Sequence, residues 1–177
     1  HFEDKVVVSV EEMVQRIHAA RDARSEDEGI LIIARTDARA PLGLDEAIDR
    51  AKRYAEAGAD LLFVEAPQSE DELAHIGSEL SGHRLMANMV EFGKTPLLSA
   101  DRLAELGYCL IIHPGAITRA VVELTRALLG DLRATGSTTG WLDRMAAFAD
   151  VNALVGLPEA NEWEVEISRR AAEVGDS

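Results

Sequence analysis

Basic residues, aromatics and sulfur are scarce in this chain. Lysine and arginine together number 18 against 32 acidic residues, a formal net charge of −14. A field of that sign repels phosphate backbones and anionic lipid, which argues against nucleic-acid or membrane-surface partners. A small anionic substrate is still compatible, because converging arginines and a bound cation reverse the potential locally. Cys109 is the single cysteine, so no intrachain disulfide is available and a cytoplasmic location is expected. It lies in the apolar run Tyr108–Ile112 and reads as a small buried hydrophobe, not a nucleophile. No apolar stretch nears the ~20 residues of a membrane span, and no signal peptide is expected. The first residues, His1-Phe2-Glu3, lack methionine and are expected not to be a native start. P-loop, G-x-G-x-x-G and zinc spacings are missing, and His18, His75 and His83 show no ligand spacing. Aromatics make up 5%, so alanine, leucine and valine must fill the core.

What the chain does have is four apolar runs, each ending in a polar group and separated by one helix-like segment. The run at 29–34 leads into Arg35-Thr36-Asp37, and that at 60–64 into Glu65-Ala66-Pro67. The run at 84–88 ends in Asn88-Met89-Val90, and that at 108–112 in His113-Pro114-Gly115. Runs of this kind are the pattern of strands buried on both faces. Capping boxes open helices at Ser9-x-x-Glu12 and Ser69-x-x-Glu72, and Ser99 caps another. Periodicity predicts a helix over 44–57, a loop over 37–43 and a long helix after Gly115. Beyond Gly136 it predicts a helix over 138–149, with Trp141, Met145 and Phe148 on one face, and a last helix from Pro158. Strand–helix alternation implies an α/β fold with parallel strands, whose chemistry collects at the strands' carboxyl ends.

Four strand tips therefore supply the candidate site. Arg35 can clamp a carboxylate or phosphate bidentately, or simply pair with Asp37 or Glu65. Glu65 can hold a substrate hydroxyl or a metal-linked water, transfer a proton, or only orient Arg35. Asn88 can donate to a substrate oxygen with the Met89 and Val90 amides beside it, or can form a turn. Arg119, one helical turn past Pro114-Gly115, can reach the same mouth or remain a surface arginine. His113 reads as a packing residue.

These residues sit in motifs that resemble the isocitrate lyase/phosphoenolpyruvate mutase superfamily. The resemblance is to its methylisocitrate lyase, dimethylmalate lyase and oxaloacetate decarboxylase group. The matching segments are Ile33-Ala-Arg-Thr-Asp-Ala38, Ala57-Gly-Ala-Asp60 with Phe63-Val-Glu-Ala-Pro67, and Ala87-Asn-Met-Val-Glu-Phe-Gly-Lys-Thr-Pro96. Leu106-Gly-Tyr108, Ile112-His-Pro-Gly115, Arg144-Met145 and Asn152-Ala-Leu-Val-Gly156 continue the match to about residue 157.

The resemblance implies a (β/α)8 TIM-type barrel of which residues 1–135 supply the last four βα units. Residues 136–177 would be C-terminal helices swapped onto a neighbouring subunit of a homotetramer. It implies a Mg2+- (or Mn2+-) dependent carbon–carbon lyase or decarboxylase that acts on a small 2-hydroxy- or 2-oxo-dicarboxylate through an enolate. It gives Arg35 and Arg119 the substrate carboxylates, Glu65 the reacting hydroxyl or a metal-bound water, and Asn88, Met89 and Val90 further substrate contacts. His1 is implied to end a mobile gating loop whose catalytic cysteine would precede this chain. The metal ligands would lie in a missing first half, with none in these residues. Two departures, Phe148 at the position of a substrate arginine and His113-Pro-Gly after the last strand, argue against a tricarboxylate. A phosphonopyruvate mutase or hydrolase, and a non-catalytic half-barrel fragment, are the alternative readings.

Overall fold

The computed structural model describes residues 6–24 and 29–175, with side chains described as far as 170. Residues up to Ala120 form one compact unit, and those from Val121 onward form a second.

The first unit is a four-stranded parallel sheet with helical crossovers. Helix α1 (Val10–Ala23) begins where the Ser9 hydroxyl accepts the Glu12 amide at 3.1 Å, as the capping box predicts. Strand β1 (Ile33–Thr36) follows, then a single helical turn α2 (Arg39–Leu42), where the sequence suggested a loop, and helix α3 (Leu44–Glu56). Strand β2 (Leu61–Val64) leads to α4 (Glu70–Glu79), whose Ser69 cap accepts the Glu72 amide at 3.1 Å. Strand β3 (Leu85–Asn88), α5 (Ala100–Glu105), β4 (Tyr108–Ile112) and α6 (Ala116–Thr135) complete the alternation.

All three strand pairings are parallel, and the spatial order β1-β2-β3-β4 is the chain order. A register shift between Leu85 and Met86 bulges β4 at Cys109, which is exposed rather than buried. Alternation sorts the strand side chains onto two faces. Ala34, Leu62, Val64, Leu85, Ala87 and Tyr108 join the core with Ile17, Ile48, Tyr54, Leu73, Ile76 and Leu103 from the helices. Ile33, Arg35, Leu61, Phe63, Met86, Leu110 and Ile112 take the other face. On β1 that second face is open, so Ile33 and Arg35 are exposed, where an apolar run alone suggested burial on both sides.

The second unit, beyond its share of α6, holds a 3-10 helix (Thr139–Arg144), α7 (Phe148–Leu154) and α8 (Leu157–Gly175). The continuous helix expected over 138–149 is broken at Met145, whose backbone is extended. Trp141, Met145 and Phe148 therefore do not share one helical face. Trp141 is buried, donates its indole N–H to Asp131 at 2.7 Å and stacks under Arg144, whereas Phe148 is 91% exposed. Among the described residues no helix is long and apolar enough to cross a membrane.

Candidate active site

The carboxyl edge of the sheet gathers the predicted polar residues in two groups. The first rests on β1 and β2. Arg35 pairs in register with Phe63, and its guanidinium lies 5.1 Å from that ring's centre. Its Nε and Nη2 donate to the two carboxylate oxygens of Asp37 at 2.7 and 3.0 Å. Nη2 also stands 3.4 Å from Oε1 of Glu65, the first residue past β2. The hydrogen bond to Asp37 is the main reason the Arg35 pKa is raised; burial opposes it and the Glu65 charge adds to it. Both ion-pair alternatives for Arg35 are thus realised together. The fork is preformed, and an incoming carboxylate competes with Asp37 for a guanidinium already oriented.

Glu65 itself is only 6% exposed, and its Oε2 is buried without a hydrogen-bond partner among the described residues. A buried carboxylate oxygen left unpaired costs free energy, so the arrangement suits an arriving donor such as a hydroxyl or a water.

The second group rests on β3, β4 and the start of α6. Asn88 ends β3, and its Oδ1 is likewise buried and unpartnered among the described residues. The Met89 amide donates to the Ile112 carbonyl at 2.9 Å, prolonging the β3–β4 ladder. Val90 begins a turn closed by the Gly93 amide at 3.1 Å. Arg119, in the first turn of α6, donates to the Glu91 carbonyl at 2.7 Å and lies over the Phe92 ring. It is exposed, and these two contacts tie it to the loop after β3. His113 is exposed, with Nδ1 3.7 Å from Glu91 Oε1, and so does not pack as expected. His1 lies outside the described residues.

Sequence reading overlooked Glu91, whose Oε2 is a third buried acceptor without a partner among the described residues. Its signal was its place three residues after Asn88. Backbone strain marks the same places. Ala66 and Phe92, with φ of 59° and 60°, follow Glu65 and Glu91 directly, in a region that side chains other than glycine seldom adopt. Among the described residues no three His, Cys, Asp or Glu converge to hold a metal ion. The carboxyl edge presents two guanidinium groups, Arg35 and Arg119, and buried acceptor oxygens on Glu65, Asn88 and Glu91.

A family model described as phosphoenolpyruvate phosphomutase matches residues 1–133. The chain belongs to that family. It is 44% identical over 168 residues to 2,3-dimethylmalate lyase of Eubacterium barkeri, covering 93% of this chain and 56% of that protein. The structure of oxaloacetate acetylhydrolase with the inhibitor 3,3-difluorooxalacetate superposes with a TM-score of 0.84 at 30% identity, over 95% of this chain and 56% of that one. Phosphonopyruvate hydrolase in complex with oxalate and Mg++ superposes with a TM-score of 0.76 at 27% identity, over 93% and 59% respectively. The chain spans about half the length of the curated relatives it matches.

Proposed function

We propose that residues 1–135 supply the last four βα units of a (β/α)8 barrel in a carbon–carbon lyase or decarboxylase of small 2-hydroxy- or 2-oxo-dicarboxylates. The observation that carries this reading is the Arg35–Glu65 pair: a preformed carboxylate fork beside a buried carboxylate oxygen with no partner among the described residues. Support for the half-barrel comes from four parallel strands in chain order, with β1 and β4 as edges, in a chain about half as long as its relatives. We assign residues 136–177 to helices that exchange between subunits of a homotetramer, and the protein to the cytoplasm. Mg2+ or Mn2+ is assigned to the whole protein, with ligands outside this chain; the magnesium in the phosphonopyruvate hydrolase structure supports a divalent ion.

In this reading Arg35 and Arg119 bind the two carboxylates, and the Asn88–Val90 segment packs against the substrate between them. Glu65 accepts a hydrogen bond from the reacting hydroxyl and so sets its direction. With a 2-hydroxy substrate, Glu65 takes up the hydroxyl proton as the C–O bond becomes a carbonyl and the neighbouring C–C bond breaks. The bonding pair stays on the departing fragment as an enolate, which then takes up a proton. Guanidinium groups at fixed positions favour the carboxylate-bearing transition state without reorganising.

A phosphonopyruvate mutase or hydrolase is the second reading, favoured by the hydrolase superposition. The lyase reading is preferred because, by superposition, identity is 32% to 2,3-dimethylmalate lyase against 27% to phosphonopyruvate hydrolase. The test assays the whole protein with Mg2+ on oxaloacetate, dimethylmalate, methylisocitrate and phosphonopyruvate. Dicarboxylates are expected to exceed methylisocitrate in kcat/KM by at least ~10-fold, since Arg35 and Arg119 provide for two carboxylates and leave a third without a cation. Preferred turnover of phosphonopyruvate would overturn the lyase reading, and preferred methylisocitrate would overturn the dicarboxylate assignment.

A further inference from the structure

Arg50 has no part in the reading above, yet it is one of the few buried charges among the described residues, at 7% exposure. It lies on α3. Its Nε donates to Glu46 Oε1 at 2.8 Å, one helical turn back, and its Nη1 donates to the Val8 carbonyl at 2.7 Å. A pair spaced four residues apart on a helix forms equally well in solvent and needs no burial. Burying a guanidinium is costly unless its hydrogen bonds fix something. Here the second bond reaches back 42 residues, to the strap 6–8 that leads into the Ser9 cap of α1.

That strap lines one side of a cavity of about 240 Å3 whose other walls include Arg35, Asp37, Arg50 and Tyr54. The Arg35–Asp37 fork therefore opens into a space bounded partly by backbone that Arg50 holds. A carbonyl bonded to a cation is a stronger anchor than one bonded to a neutral donor, and the described strap has no strand partner to replace it.

We propose that Arg50 is a positioning residue that docks the 6–8 strap as a wall of the Arg35 pocket and so sets how tightly a substrate carboxylate is held there. The strap half of this inference stands alone; the substrate half rests on the proposed function.

The test compares Arg50→Gln, Arg50→Lys and Glu46→Gln in the whole protein, using hydrogen exchange and steady-state kinetics. Arg50→Gln is expected to speed exchange of the Glu12 and Met13 amides, which the Ser9 cap holds, by about 10-fold while Leu61–Val64 stays at the parent rate. Arg50→Lys should restore part of the protection, because an ammonium still donates to the Val8 carbonyl. Glu46→Gln should match the parent, because the bond to Val8 is untouched. In Arg50→Gln, KM for the dicarboxylate should rise about five-fold with kcat within about two-fold, the signature of lost uniform binding. Parent-like exchange at Glu12 and Met13, or exchange that rises equally throughout the chain, would overturn the docking role. Faster exchange at these two amides with an unchanged KM would overturn the wall role. Faster exchange in Arg50→Gln, when the parent protein turns over no dicarboxylate, would leave the docking intact and remove the functional reading instead.

Discussion

Glu65 turns one oxygen toward Arg35 at 3.4 Å and keeps the other out of water. Glu65→Gln preserves its size and removes the charge while Asp37 still holds Arg35. That variant is expected to lose about 10²-fold in kcat/KM, the usual scale for a positioned proton-handling group, with little change in melting temperature. Steady-state kinetics with the preferred dicarboxylate, beside a thermal melt, checks it. Parent-like kinetics would show that the carboxylate does not touch the reacting group. The strand-tip rule placed Arg35, Glu65 and Asn88 at the carboxyl edge from the sequence, because position at a strand's end is a property of local pattern. The pairing of Arg35 with Asp37 was legible too, as an alternative to substrate binding, but Glu91 was not. Its place depends on a turn at Val90–Gly93 and on a side-chain direction, which no periodicity encodes.

Helix α4 and the end of α5 meet backbone to backbone. A Cβ added at Gly77 would stand 1.9 Å from the Leu106 carbonyl oxygen. Alanine is the better helix former by ~1 kcal/mol, but overpacking of this kind costs about 1–3 kcal/mol. Gly77→Ala should therefore lower the melting temperature in spite of its helix propensity, and a higher melting temperature would show the contact to be soft. Asp60 ties three elements together. Its Oδ2 accepts the Ile32 amide at 2.7 Å and Arg24 Nη1 at 2.5 Å. The Ile32 amide first, and then Arg24, hold its pKa below the ordinary value against an opposing effect of burial. A depressed folded pKa contributes stability that is present above the unfolded pKa of about 3.9 and is lost as pH falls through the folded value. Asp60→Asn should thus melt below the parent by a constant amount from pH 6 to 8, and the gap should narrow below about pH 4. At this scale the helices were the easier elements to read. Ser9, Ser69 and Ser99 cap where the sequence placed them, because a cap is a contact three residues long. The break at Met145 and the open face of β1 were hidden, since each depends on what lies across from it.

For the molecule as a whole, the proposed exchange of C-terminal helices has a measurable face. Phe148 and Trp163 are 91% and 69% exposed in the second unit, large apolar surfaces to leave in water. Converting both to Asp is expected to reduce the mass of the whole protein in sedimentation, and an unchanged mass would count against the assembly. Trp141 serves as the contrast. It is already buried against Asp131 and Arg144, so Trp141→Asp should unfold the second unit rather than merely separate subunits. Strand order has a temporal consequence. Because each strand lies beside the one synthesised before it, every new strand leaving the ribosome meets a finished edge waiting for it. Its partner is one helix away in the chain, so the loop to be closed is short and costs little entropy. Among these four strands the sheet grows at its newest strand, while the outer edge of β1 stays open. Pairing within this set can then keep pace with translation, and only the two outer edges wait for partners.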